Sequence, residues 1–338
     1  MPATRRLTGS FESLTGIAAC AALLAASGAT KAHHSDAGYA RETVVAFEGK
    51  VTGYVWRNPH VIIHVAEQTD SGGGREWEIE TGSTPIMARS GWSRDLLSAG
   101  ETVTVRLHPE RDTGRARGIL NVLETADGRT WSQVEADAEA TGAATSLAGV
   151  WKGLSSSSLN RQLAQAKLTP VAEAARAAYD DIEHRSTAAC LPNPPPMHIA
   201  SSLYLTGIEI LADRVILRNE IFDVTRTVYT DGRGHPENGE PTNQGHSVGR
   251  WEDGVLVVDT ALLAEHPSGN GRGVPSGPRK HLVERYSLSE DRTRAIVEVV
   301  LEDPDYLAEP FSGRIGMVYQ PHLQLYRYDC DPSAMQLR

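Results

Sequence analysis

Positive charge is the first thing this sequence is short of. Lys and Arg number 33 against 43 Asp and Glu, a formal net charge of −10. Such a surface repels phosphate backbones, which argues against general nucleic-acid binding. Cysteine is nearly absent, with three in 338 residues. No Cys-x-x-Cys pair occurs, so neither a zinc ribbon nor a thiol redox motif is present. Apolar runs are short after residue 32, and no membrane span is expected in the rest of the chain. No glycine loop sits between a strand pattern and a helix pattern. Gly269-Asn270-Gly271-Arg272-Gly273 lies instead in a Pro/Gly/Ser stretch over 264–280, read as a lid over a barrel mouth or a disordered segment.

What remains has an ordinary globular balance, 40% hydrophobic and 22% charged. The amino terminus reads as a signal peptide over residues 1–32. Arg5 and Arg6 supply positive charge, Leu14 to Ala26 an apolar core, and Thr30-Lys31-Ala32 a small-residue cleavage site. Ile17-Ala18-Ala19-Cys20 also fits a lipoprotein box, so lipid anchoring through Cys20 is the alternative to a free periplasmic or secreted chain. Loss of Cys20 with the leader leaves Cys190 and Cys330. One pair in an oxidising compartment is expected to form a disulfide; two separate buried thiols is the alternative.

Residues 33–131 read as a small β-domain. Val45, Phe47, Val51 and Val55 alternate with polar neighbours, and further strands are expected over Val61–Val65, around Trp77 and Ile79, over Val103–Leu107 and over Ile119–Thr125. Thr84-Pro85 opens a helix that breaks at Gly91, resumes near Ser93 and stops at Gly100. Five strands with a helix between the third and fourth give the order of an OB-type barrel. Residues 132–147 lack an apolar period and read as a linker.

Residues 148–338 read as a second, larger domain with a helical lead-in over 169–184 and then strands almost throughout, the last at 323–329. Their regular spacing suggests an antiparallel, lipocalin-like barrel, opened by Gly149-Val150-Trp151. The expected class is therefore mainly β: a small OB-like barrel, then a larger antiparallel one.

Two resemblances accompany this reading. Residues 33–131 carry His33-His34-Ser35, Arg57-Asn58-Pro59-His60, Gly91-Trp92-Ser93-Arg94 and Asp127-Gly128-Arg129, and resemble an exported bacterial domain of unknown function. Residues 190–330 resemble a second uncharacterised bacterial family, through Asp231-Gly232-Arg233, His235-Pro236, Gly245-His246-Ser247-Val248-Gly249-Arg250-Trp251, His281-Leu282-Val283-Glu284-Arg285 and Glu302-Asp303-Pro304. The resemblances imply export and β-rich folds, and no reaction.

Candidate chemistry falls into two sets. Cleavage after Ala32 would give His33 a free amine that, with its imidazole, chelates a metal; copper suits such nitrogen donors. His34 and His60 are the further candidate ligands. A disordered terminal His-His beside ordinary barrel histidines is the competing reading. The second set is His246, His281, Glu284, Arg285 and Asp231 for acid–base catalysis, His281 and Arg285 falling on one strand face and Glu284 on the other, with Arg233, His235, Ser247 and Trp251 lining a ligand site. Ser247 nominally completes a Ser-His-acid set, but no Gly-x-Ser-x-Gly elbow is read around it, which argues against a hydrolase triad. Turn residues and a cross-strand ion-pair ladder account for the same positions without function. The leading expectation is an exported protein that binds a small organic molecule in the larger barrel. An acid–base enzyme and a copper-handling protein follow, and a pure interaction module comes last.

Overall fold

The computed structural model describes residues 38–70, 72–112, 114–132, 139–155, 158–180 and 190–331. Alternation of apolar and polar side chains sets the small barrel. Its strands are β1 (Val45–Val55), β2 (Ile62–Glu67), β3 (Glu76–Glu80), β4 (Thr102–Pro109) and β5 (Arg117–Thr125), with helix α1 (Thr84–Arg89) between β3 and β4. β1 pairs with β2 and β4, β2 with β3, and β4 with β5. A parallel pairing of β3 with β5 closes the ring, so this is the OB order that the sequence predicts. A short β6 (Thr130–Trp131) extends the edge. Inward positions such as Val51, Ile63, Val65, Ile79, Val105, Leu107 and Leu123 form its core.

Two local expectations fail here. The N-cap of α1 is Ser83, one residue earlier than expected. Past Gly91, at φ +85, the chain makes turns over 93–100 instead of resuming a helix. Leu97 is buried in the core of the small barrel from this irregular stretch.

The larger barrel has nine strands: β7 (Gly149–Gly153), β8 (Leu205–Ile210), β9 (Arg214–Asn219), β10 (Val224–Tyr229), β11 (His246–Glu252), β12 (Val255–Ala261), β13 (His281–Leu288), β14 (Arg294–Glu302) and β15 (Phe311–Tyr319). The ring runs β10 through β15, then β7, β8 and β9, and closes on itself. Neighbours pair antiparallel except β10 and β11, which run parallel. The long connection from Thr230 to Gly245 carries the chain back to the starting end, which a hairpin turn cannot do. Two short helices, α2 (Leu159–Leu163) and α3 (Pro170–Ala178), lead in, and α3 is capped by the Thr169 side chain.

The linker expected over 132–147 does more than connect. Ala144 and Leu147 are buried in the larger barrel's core, beside Trp151. The strand expected over 323–329 is absent. Its backbone N–H groups go to carboxylates rather than to a ladder: Tyr326 N donates to Glu220, and Tyr328 N and Asp329 N donate to Asp223. Among the described residues, no helix is long and apolar enough to cross a membrane.

Cys190 and Cys330 lie at disulfide distance, with Cα atoms 5.9 Å apart across 140 residues of sequence.

Candidate functional site

Alternation along β12 and β13 divides the predicted site residues between the two faces of the barrel wall. On β13, Leu282, Glu284 and Tyr286 are buried, while His281, Val283 and Arg285 are partly exposed. The residues expected to act together therefore separate into three groups.

The first group lies on the outer face. His235 Nε2 and His281 Nε2 both meet Asp259 Oδ1, at 3.0 and 2.9 Å. His235 Nδ1 stands 2.9 Å from His246 Nδ1. The His246 ring stacks on Tyr229, and the Arg233 guanidinium lies 4.1 Å from the Tyr229 ring centroid. Arg233 also pairs with Asp231, holding that exposed carboxyl down to about 2. Burial pulls the His246 imidazole below its usual range, with help from His235 and Arg233. Burial pushes Asp259 up, but the hydrogen bonds to the two histidines outweigh it and hold the carboxyl low. His235, His246 and His281 thus lie in one cluster. Asp259 is the member that sequence reading missed; it sits in Leu256-Val257-Val258-Asp259-Thr260, where an acid interrupting an apolar strand was the available signal.

The second group is inside. Glu284 takes a 2.5 Å hydrogen bond from Arg226 Nη2 and a 3.0 Å one from the Tyr286 hydroxyl, and Arg226 also donates to Tyr286 at 3.1 Å. All three are fully buried. Arg226 Nε and Nη1 have no protein partner. Burial works against the Arg226 charge, and Glu284 and Tyr286 restore it. Glu284 is therefore half of a buried ion pair, not a surface acid in reach of His281.

Ser247 is also inside. The pentapeptide Gly245-His246-Ser247-Val248-Gly249 does have Gly-x-Ser-x-Gly spacing, contrary to the expectation at Ser247. Ser247 nevertheless lies within β11, is 1% exposed and shares a 2.8 Å hydrogen bond with Thr260. A nucleophile elbow needs an exposed hydroxyl on a strand-to-helix turn. Gly245 instead has φ +68, and a Cβ there would stand 2.7 Å from Ala261 O, so close strand approach explains that glycine.

The third group is the exposed ladder. Arg285 pairs with Glu252, which also takes Arg250, and Trp251 is 43% exposed beside them. This is cross-strand pairing of surface charges.

A cavity of about 560 Å³ lies elsewhere, between the helical lead-in and the 264–280 loop. Its wall includes Leu163, Met197 and Val274, the polar Asn193, Ser268 and Asn270, and Arg161, Arg176 and Arg272. None of the predicted ligand-lining residues Arg233, His235, Ser247 and Trp251 contributes to it. The 264–280 loop is tied to itself and to the barrel by its own bonds. His266 and Ser276 bridge its two arms, Asn270 and Gly277 both donate to Asp303, and Lys280 Nζ donates 2.7 Å to Gly269 O. Several polar groups in and near these segments are buried. His198, next to Met197, has both ring nitrogens unpaired, and Asn270, 2% exposed, leaves Oδ1 unpaired. Burial takes His198 down to about 3, His266 to about 4, and Lys280 to about 7 against the pull of Asp303 and Glu284. These residues sit in a proline-rich turn and an irregular loop, where no periodicity announces which side chains will be buried.

Of the predicted metal ligands, only His60 falls among the described residues. His33 and His34 lie outside the described residues, as does Cys20. His60 Nδ1 is 2.9 Å from Thr81 O and 3.0 Å from Glu80, contacts that tie the β1–β2 connection to the end of β3. No group of three His, Cys, Asp or Glu arranged for a metal occurs among the described residues.

Residues 21–120 match the model of a family of unknown function (DUF6152). The match covers most of the small barrel and none of the larger one. Among curated proteins, none matches the chain.

Proposed function

We propose that this chain is an exported ligand-handling protein that binds a small organic molecule in the cavity beside the 264–280 loop of its larger barrel. The observation that carries the reading is Asn270. It is almost fully buried, belongs to the wall of the 560 Å³ cavity, and presents a carbonyl oxygen with no protein partner. Leaving such an acceptor dry costs roughly 1–3 kcal/mol, which a hydrogen-bonding ligand recovers. The cavity's size and its mostly apolar wall with a few convergent polar groups suit a small molecule. Export rests on the leader and on the Cys190–Cys330 pair.

The test is a thermal-shift screen of the full mature chain against a chemically diverse metabolite set, repeated on N270A. Stabilising compounds that lose their effect in N270A support the reading. A screen in which no compound raises Tm sinks it.

A second reading, acid–base catalysis on the outer face, is favoured by the single carboxylate oxygen shared between His235 and His281. A carboxylate that orients an imidazole is what such catalysis uses. Turnover of an ester and lactone panel that disappears in both D259N and H281A would establish it, and turnover untouched in both would remove it.

A further inference from the structure

Three separate segments each place an arginine on the cavity: Arg161 from α2, Arg176 from α3 and Arg272 from the 264–280 loop. Among the described residues the cavity wall holds no Asp or Glu. This is the reverse of the chain as a whole, in which acids outnumber bases by 43 to 33. Neither Arg161 nor Arg176 enters an ion pair with another described residue. A guanidinium left without a carboxylate in an acidic protein is a recognition group for an anion brought from outside.

The burial of the wall is graded. Arg161, Arg176 and Arg272 are exposed, so the cations form the rim. Leu163, Met197 and Val274 are buried, and with Asn270 they make the deeper wall. A molecule complementary to that gradient has a charged head outside and an apolar body inside. The unpaired Oδ1 atoms of Asn193 and Asn270 add acceptors for a donor group on the body.

We infer that the ligand is an amphiphilic organic anion, a carboxylate or a phosphate monoester on an apolar body, with its head held by Arg161 and Arg176. This rests on the cavity being the ligand site, and it names the class of ligand that site takes. The head chemistry serves either acid, since both present oxygens that accept paired guanidinium N–H bonds.

Titration calorimetry on the full mature chain separates the possibilities, with decanoate, decyl phosphate, decanol and inorganic phosphate as probes. The expected result is that decanoate or decyl phosphate binds about 10-fold or more tighter than decanol, the size expected for a charge-assisted hydrogen bond. Which of the two acids binds better identifies the head. R161Q/R176Q should lower anion affinity about 10-fold and leave decanol unchanged. Its circular dichroism should match the parent, because both side chains are exposed. Equal binding of decanol and the acids, or anion binding that survives in R161Q/R176Q, overturns the inference while leaving the cavity as a ligand site. Inorganic phosphate binding as tightly as decyl phosphate overturns the apolar body. If neither acid binds, the anion class is wrong, and the neutral compounds of the thermal-shift screen then decide separately whether the cavity binds anything.

Discussion

Arg89, the last residue of helix α1 in the small barrel, donates to both carboxylate oxygens of Glu220 in the larger one, at 2.6 and 2.5 Å. Glu220 is 1% exposed and also accepts from Leu205 N and Tyr326 N, at 2.8 and 3.0 Å. Burial pushes its carboxyl up, against the pull of Arg89 and the two amides. Around the pair, Ile86 packs with Tyr204 and Tyr328, and Asn58 bonds the Tyr328 carbonyl.

R89M should therefore destabilise the protein by about 3 kcal/mol, because it strands a desolvated carboxylate. R89M/E220M should cost less than R89M alone, since the double change leaves no unpaired charge. Urea unfolding followed by tryptophan fluorescence and far-UV circular dichroism checks both. A double variant less stable than R89M would contradict the account.

Inside the larger barrel, E284A should cost about 3–5 kcal/mol by leaving Arg226 charged and uncompensated in the core. Y286F removes only a hydroxyl that bridges the pair and should cost about 1 kcal/mol. Chemical denaturation of the two variants gives the ratio, and equal losses would mean that the ion pair matters no more than the hydroxyl beside it.

Acid should unfold this protein through its buried histidines. His198 and His266 titrate at about 3 and about 4 when folded. Both titrate near 6.5 when unfolded. Between those values the unfolded chain binds protons that the folded chain excludes, so stability is intact above about pH 6.5 and falls as pH drops. H198Q/H266Q should flatten the urea midpoint between pH 7 and 5 relative to the parent. Glu220, whose carboxyl burial pushes up, acts with the opposite sign, and the comparison between variants removes its share. An unchanged slope in H198Q/H266Q would refute the assignment.

Reducing the Cys190–Cys330 link should lower stability by up to about 5 kcal/mol, the loop-closure value for a loop of that order. Cys330 also packs against the Tyr204–Tyr328 cluster, so the loss should loosen the contact between the barrels as well. C190S/C330S compared with the parent, with and without reductant, measures it; a parent insensitive to reductant would show that the bridge contributes nothing.

The sequence determined the barrels. A period of two in β1, β13 and β14 says which side chains point inward, because pleating alternates faces whatever the partner strand is. It also brought His235, His246 and His281 into one candidate set. Tertiary structure decided which face each candidate occupies and what it meets. Alternation alone does not distinguish the interior of a closed barrel from its exterior when a strand such as His281–Leu288 carries polar groups on both faces, and only ring closure sends Glu284 in and His281 out. The parallel β10–β11 pair, the carboxylates that capture the 326–329 backbone, and the cavity beside the 264–280 loop come from contacts between residues distant in sequence. Such contacts exist only once the chain has folded, because no local propensity encodes which distant groups will meet.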